Sequence, residues 1–360
     1  MEINKNMDKN IEHNNNIELL SPAGSLECAK AAVEAGADAV YMGGAKYSAR
    51  AYAKSATDNS LIDSIKFVKE SGKRFYLTVN TLFKQRELKE IFLFLDPLVE
   101  LGVDAFIVQD LGVANLLKEK YPNVELHAST QMTITSSKAI NLIKLLGFTQ
   151  VVLARELSIK EIKAIKKEVG DDIKLEAFIH GSMCYSYSGA CLMSSFIGGE
   201  SGNRGRCKGP CRLPYHLNLG TGYIIGKKGT PFKNAKNSAP YILSMKDMCA
   251  LISLKDLINA GVSSFKIEGR MRQADYVSGV TKTYRKYLDA IISANAKVDK
   301  ALNLNTEDNV FKSFACMCEF SKSEIAKDEK YLLELYNKGG FTNYYNKHNG
   351  IDMIQRYERT

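Results

Sequence analysis

Eight times along its length the chain passes from a short apolar run into a segment of helical spacing. The first unit sets the pattern. "IELLSPAG" (17–24) reads as a strand ended by Pro22 and Gly24, and "SLECAKAAVEAGA" carries apolar residues at helical intervals up to a stop at Gly36. The later strands are "DAVYMGG", "FYLTVNT", "AFIVQD", "VELHAST", "QVVLARE", "IKLEAFIHG" and "SSFKIEG", with amphipathic segments between them. Near-continuous apolar strands joined by helical crossovers imply a parallel sheet buried on both faces. Eight units predict an α/β fold closed into a TIM-like (β/α)8 barrel. The alternative is an open doubly wound sheet of the dinucleotide-binding type. It finds no support at the first strand, which no Gly-x-Gly-x-x-Gly follows.

The rhythm breaks once, after the seventh strand. Residues 182–242 form an insertion rich in Gly, Ser, Cys and basic residues. In a barrel, the loop after a strand lies on the C-terminal face, where active sites of this fold sit. Sequence order therefore puts the insertion over the mouth. After it, "MKDMCALISLKDLINAG" is expected to be one helix. The expected organisation is a disordered leader at 1–16, a barrel domain at 17–299 that includes the insertion, and a less regular tail at 300–360. The leader lacks the apolar core of a secretory signal. No apolar run approaches the roughly 20 residues of a bilayer span. A cytoplasmic protein with reduced thiols is expected.

Cys184, Cys191, Cys207 and Cys211 fall within the insertion, separated by six, fifteen and three residues. Four thiolates suit zinc or an iron–sulfur cluster. Structural zinc favours two matched knuckles of close cysteines. Only the second pair is close, and no histidine lies between the pairs. An iron–sulfur cluster accepts more scattered ligands, and small residues around Cys184 and Cys191 let backbone approach a bulky inorganic core. Spacing alone leaves both metals open, with buried free thiols as the third reading. Cys249 is a fifth candidate, in place of Cys211. Cys28, Cys316 and Cys318 read as packing residues.

"EAFIHGSMCYSYSGACLMSS" (176–195) resembles the signature of peptidase family U-32, the collagenase-like peptidases. "ELLSPAGSLECAKAAVEAGADAVYMGG", "HASTQMTITSSKAINLIKLLGFTQVVLARELS", "YILSMKDMCALISLKDLINAGVSSFKIEGRM" and "NKGGFTNYY" are similar to that family in the same order, over residues 17–350. The resemblance implies more than the family name. Several members are implicated in oxygen-independent hydroxylation of a tRNA wobble uridine, a 23S ribosomal RNA cytidine or the ubiquinone ring. Such members carry a 4Fe–4S cluster on cysteines of this region, and the RNA-directed ones depend on prephenate. By motif, Cys184, Cys191 and Cys207 are the implied ligands, and Cys211 is chosen over Cys249 as the fourth. A related chain is a possible heterodimer partner. Many members continue into a small C-terminal domain; if that domain grips RNA in them, a chain with a tail short relative to theirs is expected to grip RNA differently or to bind a smaller substrate.

Polar residues at the C-terminal ends of barrel strands are those a barrel uses for chemistry. Asn80, Gln109, Asp110, His127, Ser129, Gln131, Arg155, Glu156, His180, Lys266, Glu268 and Arg270 fall there. The expected catalytic set is His127, His180, Arg155, Lys266, Glu268 and Arg270. Arg155 and Arg270 would clamp a small dicarboxylate such as prephenate bidentately. His127 and His180 would move protons near neutral pH. Glu176, inside its strand, reads equally as a buried partner for a cation. Peptidase motifs are missing: there is neither a Gly-x-Ser-x-Gly elbow nor a His-Glu-x-x-His helix. A Cys184–His180 pair would compete with iron for the same thiol.

The formal charge of +9 favours anionic partners. Between Gly198 and Pro240 stand Arg204, Arg206, Lys208, Arg212, Lys227, Lys228, Lys233 and Lys236 against Glu200, with Tyr215 and Tyr223 interleaved. That pattern is the footprint expected for a phosphate backbone, the alternative being a solvated loop whose charge aids solubility; beside the cysteine loop it favours RNA, which the resemblance specifies as tRNA or rRNA. An anticodon loop already presents unstacked bases.

Overall fold

The computed structural model describes residues 17–44, 46–49, 58–215, 241–303, 320–343 and 345. The expected leader, Lys227, Lys228, Lys233, Lys236, Tyr223, Cys316 and Cys318 lie outside the described residues.

Eight parallel strands close on themselves. They are β1 (Glu18–Pro22), β2 (Ala39–Met42), β3 (Arg74–Val79), β4 (Ala105–Val108), β5 (Glu125–Ala128), β6 (Phe148–Val152), β7 (Lys174–Gly181) and β9 (Val262–Ile267). Each neighbours the next, and β9 pairs in parallel with both β7 and β1. The crossovers are α1 (Leu26–Glu34), α2 (Asp58–Glu70), α3 (Ile91–Glu100), α4 (Leu111–Lys120), α5 (Ser137–Leu145) and α6 (Ile159–Val169), with α8 (Leu254–Asn259) before β9 and α9 (Ala274–Asn303) after it. The predicted barrel is thus the observed fold.

Strand alternation divides the core in two. Outward-facing residues such as Leu19, Val40, Phe75, Leu77, Phe106 and Phe265 pack under the helices with Leu61, Ile65 and Val68 of α2 and Val277, Val280 and Leu288 of α9. Inward-facing Leu20, Ala39, Tyr41, Tyr76, Ala105 and Ile107 form a separate cluster inside the barrel. Several helices start where a polar side chain caps them. Ser25, Asp110, Ser136 and Ser158 accept from backbone N–H groups of the first turn, and Glu161 completes a capping box at Ser158.

One expectation fails between the insertion and β9. Asp247–Cys249 is a strand, β8, and α8 holds only six residues. The cause lies in β7, which runs past the barrel. Its last residues, His180 and Gly181, pair antiparallel with Cys249 and Met248. A short strand satisfies the backbone groups of that overhang, as a helix would not. The tail adds α10 (Lys322–Leu335) and β10 (Phe341–Thr342), which pairs with β8. Leu332 is buried, and Lys286 of α9 meets Asp328 of α10 at 2.8 Å. Among the described residues no helix is long and apolar enough to cross a membrane.

Candidate active site at the barrel mouth

A narrow cavity of about 40 Å³ opens where the strands end. Asn80, Ser129, Gln131, Arg155, Lys266, Glu268 and Arg270 of the predicted ring all line it, with Tyr41, Thr78 and Phe178. Arg155 donates from Nη1 to the Ser182 carbonyl at 2.7 Å, and its guanidinium lies 4.3 Å from the Phe178 ring centroid. Arg270, buried, donates from Nη1 to the hydroxyls of Ser48 (2.7 Å) and Thr78 (2.6 Å). Lys266 is 3% exposed, sits over the Tyr41 ring at 4.4 Å and pairs with Glu176 at 2.7 Å. Burial holds its ammonium below the ordinary lysine range, opposed by the Glu176 carboxylate. The two arginines and the lysine thus converge on one small polar cavity.

Both histidines leave that group. His127 lies inside the barrel but does not line the cavity: it is fully buried, its Nε2 is 3.0 Å from Glu125, and its ring packs edge-on to Tyr76. His180 faces away from the cavity, among Tyr276 and Tyr284 of α9 and Phe341 of β10. Its Nδ1 is 3.2 Å from the Tyr284 hydroxyl, and burial pushes its pKa down to about 3. The physical reason is a bulge. Phe178 pairs with Lys266, both inward, while His180 pairs with Ile267, an outward position; the register slips between them and turns His180 through the wall. As a proton carrier at the mouth, neither histidine is in place.

Other ring members are structural. Asp110 caps α4 and also accepts from Phe83 N–H at 3.0 Å. Gln109 donates to the Gln131 carbonyl at 3.4 Å. Glu176 anchors the interior network, accepting from Lys266, from Gln150 (2.5 Å) and from Ser264 (3.2 Å). Glu156 accepts from the Ser188 N–H at 2.8 Å, which ties it to the cysteine-bearing segment after β7.

That segment crosses the mouth. Ser182 and Ser188 meet Arg155 and Glu156 after β6, the Ser188 carbonyl accepts from Thr133 after β5, and Arg204 reaches Leu82 and Glu87 after β3. Gly189, at φ 75°, abuts the Gln131 carbonyl; a Cβ there would collide with backbone. A short helix, α7 (Met193–Gly198), follows. The four cysteines are unpaired thiols. Cys184 and Cys207 are exposed, and Cys191 and Cys211 are partly so. Burial pushes the Cys211 thiol up; Arg212 opposes this, and Cys184, Cys207 and Cys191 add to it. The Gly209 N–H donates to the Cys207 sulfur at 3.3 Å, and Gly202 lies between Cys191 and Cys207. Among the described residues no three His, Cys, Asp or Glu side chains converge tightly enough for a single ion. Four free thiols on one segment, one of them accepting from the Gly209 N–H, are donors of the kind that an iron–sulfur cluster or zinc uses. Cys249 stands apart, buried against the Tyr284 hydroxyl, its thiol pushed up to about 12. Cys28 is buried in α1, as expected.

The basic patch is less free than its composition suggests. Arg204 forks onto Glu87, and Arg212 donates to the carbonyls of Met183 and Met245 (2.6 Å) and to Ser244 (3.0 Å). Arg206 and Lys208 are exposed. Sequence reasoning passed over Lys338 of the "NKGGFT" stretch. It donates to Ser182 at 2.6 Å beneath the cysteine segment, and burial pushes it down to about 8, helped by Arg212 and Arg272.

A parallel eight-stranded barrel with a four-thiol segment across a polar, arginine-lined mouth is the class of protein these features define. The chain belongs to peptidase family U32, whose profile matches residues 24–325. It is 40% identical over 291 residues to the 23S rRNA 5-hydroxycytidine C2501 synthase of Escherichia coli, a match covering 81% of this chain and 42% of that protein. It is 38% identical over 273 residues to tRNA hydroxylation protein P1 of Bacillus subtilis, covering 76% and 63%. With a collagenase of Porphyromonas gingivalis it shares 29% identity over 343 residues, covering 92% and 74%. The chain spans less than two thirds of the first two relatives. A solved U32 peptidase structure covers 70% of this chain, and is itself 93% covered, at a TM-score of 0.46 and 12% identity.

Proposed function

We propose that this chain acts in oxygen-independent hydroxylation of an RNA base, in tRNA or ribosomal RNA. The observation that carries the reading is a segment bearing four free, partly exposed thiols, tied through Ser182 and Ser188 to Arg155 and Glu156 at the mouth that holds Arg155, Lys266 and Arg270. The names of the E. coli and B. subtilis relatives support it. Cys184, Cys191, Cys207 and Cys211 would hold a 4Fe–4S cluster, which supplies Lewis-acid or electron-transfer chemistry when bound. Arg155 and Arg270 would orient a small carboxylate such as prephenate as the oxygen source. Lys266, kept in place by Glu176, adds positive charge where negative charge develops. A cytoplasmic location follows from an RNA substrate, and a related chain as heterodimer partner remains part of the proposal.

The peptidase reading has names behind it, that of the family and that of the P. gingivalis collagenase, but no site geometry. Its candidate base, His180, faces α9 instead of Cys184, and burial lowers its pKa to about 3, which makes it a weak base. A thiolate ligated to iron is also unavailable to attack an amide.

Two measurements test the proposal. Anaerobically reconstituted protein should bind about four irons and four sulfides per chain, the stoichiometry of a 4Fe–4S cluster. Cys191→Ala should lose them, while Cys249→Ala keeps them. Nucleosides from RNA of a deletion strain should lack one hydroxylated base, restored by the wild-type gene and not by Cys191→Ala. Colourless wild-type protein, or a complete set of modified bases in the deletion strain, would refute it.

A further inference from the structure

Beside the mouth lies a second and larger cavity, of about 410 Å³. Three connections wall it: Lys46 and Tyr47 after β2, Arg86 and Glu90 after β3, and Arg204 and Arg206 from the cysteine segment. The Arg204–Glu87 fork ties two of these walls together and consumes one charge of each sign. That leaves Lys46, Arg86 and Arg206 facing Glu90. All three cations are exposed, and none makes an ion pair among the described residues.

Tyr47 belongs to the same wall. Its backbone is left-handed, at φ 62°, which is uncommon for a residue with a side chain. Such a conformation persists where the surroundings over-determine it and clusters at binding sites. Here its ring is stacked on Phe83, with centroids 4.8 Å apart, and edge-on to Phe94. The next residue, Ser48, joins the two cavities: it lines the larger one and accepts from Arg270 of the mouth at 2.7 Å.

The two volumes divide the work. At about 40 Å³ the mouth has room for a few water-sized groups, too few for a whole nucleotide. The neighbouring cavity falls in the range of small-molecule pockets, roughly 300–1,000 Å³. Its rim is an aromatic plate with unpaired cations, the combination that recognises a nucleotide by stacking and by phosphate charge.

We propose that this cavity is a nucleotide subsite, holding the residue next to the base presented at the mouth, with Lys46 and Arg86 on phosphate and Tyr47 against base or sugar. It rests on the RNA reading given above. Phosphate contacts of this kind fix register without reading sequence.

Fluorescence anisotropy with a labelled RNA stem-loop, titrated over a range of salt, tests it on the full chain. Lys46→Ala and Arg86→Ala should each weaken binding about five- to tenfold and lower the salt slope by about one. Tyr47→Ala should weaken binding at unchanged slope, since stacking releases no counterions. Lys89→Ala, an exposed cation on the same connection outside the cavity, is the control and should bind as wild type. Circular dichroism confirms folding, and iron content should be unchanged in the Lys46 and Arg86 variants, which lie outside the cysteine segment. If wild type binds and both cation variants bind within twofold of it, the subsite is wrong and the RNA reading stands. If wild type binds neither tRNA-like nor ribosomal stem-loops at low salt, the RNA reading falls and takes the subsite with it.

Discussion

Inside the barrel Lys266 and Glu176 meet at 2.7 Å with 4% and 0% of their side chains exposed; on the rim Arg204 and Glu87 form a fork at 30% and 17%. The interior pair sits in a buried hydrogen-bond network. Ser264 donates to both Glu18 and Glu176, Tyr76 donates to Glu18, and Gln150 donates to Glu176. Such a network tolerates no missing member, because each loss leaves a charge or dipole buried without a partner. The rim pair has water as an alternative partner. Around it stand Lys46, Arg86 and Arg206, exposed and unpaired by any described residue. One region spends its polar groups on each other. The other keeps them for a ligand. The boundary runs through Lys266, which belongs to the network yet lines the mouth.

The largest effect is expected at that boundary. Lys266→Met leaves Glu176 buried without its cationic partner, which should cost about 3–5 kcal/mol of stability by chemical denaturation. Adding Glu176→Gln removes the stranded charge and should recover most of the loss. A single variant that unfolds within about 1 kcal/mol of wild type would mean that water reaches Glu176, and the contrast between interior and rim would fail.

The same contrast explains what the sequence could and could not reveal. The eight barrel strands were legible because each is a run of apolar residues between turn signals, as in "AFIVQD" or "QVVLARE". β8 was not: Asp247–Cys249 is three residues long, and its identity as a strand comes from the backbone of the β7 overhang rather than from its own pattern. Arg155, Lys266, Glu268 and Arg270 were correctly sent to the mouth by position alone. His180 was misplaced because a bulge is invisible to a period of two, and one slipped residue exchanges the inside of a barrel for its outside. His127 faces the barrel interior but does not line the cavity, its ring being engaged by Glu125 and Tyr76. Sequence shows that a strand ends nearby, but not that Glu125, two residues earlier on the same face, holds the ring. The cations of the basic patch looked equivalent in sequence. Only distance separates Arg212, spent on backbone carbonyls, from Arg206, which is exposed.

His180 offers the next test, on the outer side of the wall. Its pKa of about 3 in the fold lies far below the ordinary value of about 6.5. Between these values the unfolded chain binds a proton that the folded chain refuses, so stability rises with pH across the window. The contribution is intact above about pH 6.5 and is lost as pH falls towards 3, at about 1.4 kcal/mol per unit. Unfolding at pH 7 and pH 5 should differ by about 2 kcal/mol more in wild type than in His180→Gln. Equal differences in the two proteins would place His180 in contact with solvent, against its burial among Tyr276, Tyr284 and Phe341.

The smallest effect belongs to the rim. A partly exposed arginine–carboxylate pair contributes about 0.5–1 kcal/mol, because water screens it and both side chains lose freedom. A double-mutant cycle on Arg204→Ala and Glu87→Ala should return a coupling in that range. Its consequence for the cysteine segment should exceed its consequence for the fold, since Arg204 also donates to the Leu82 carbonyl and so ties the segment to the β3–α3 connection. Hydrogen exchange should therefore quicken across residues 200–212 in Arg204→Ala while the protection of β7 and β9 stays as in wild type. A coupling as large as that between Lys266 and Glu176, or a loss of protection spreading into the barrel strands, would show that the rim is built like the interior, with no polar groups held in reserve.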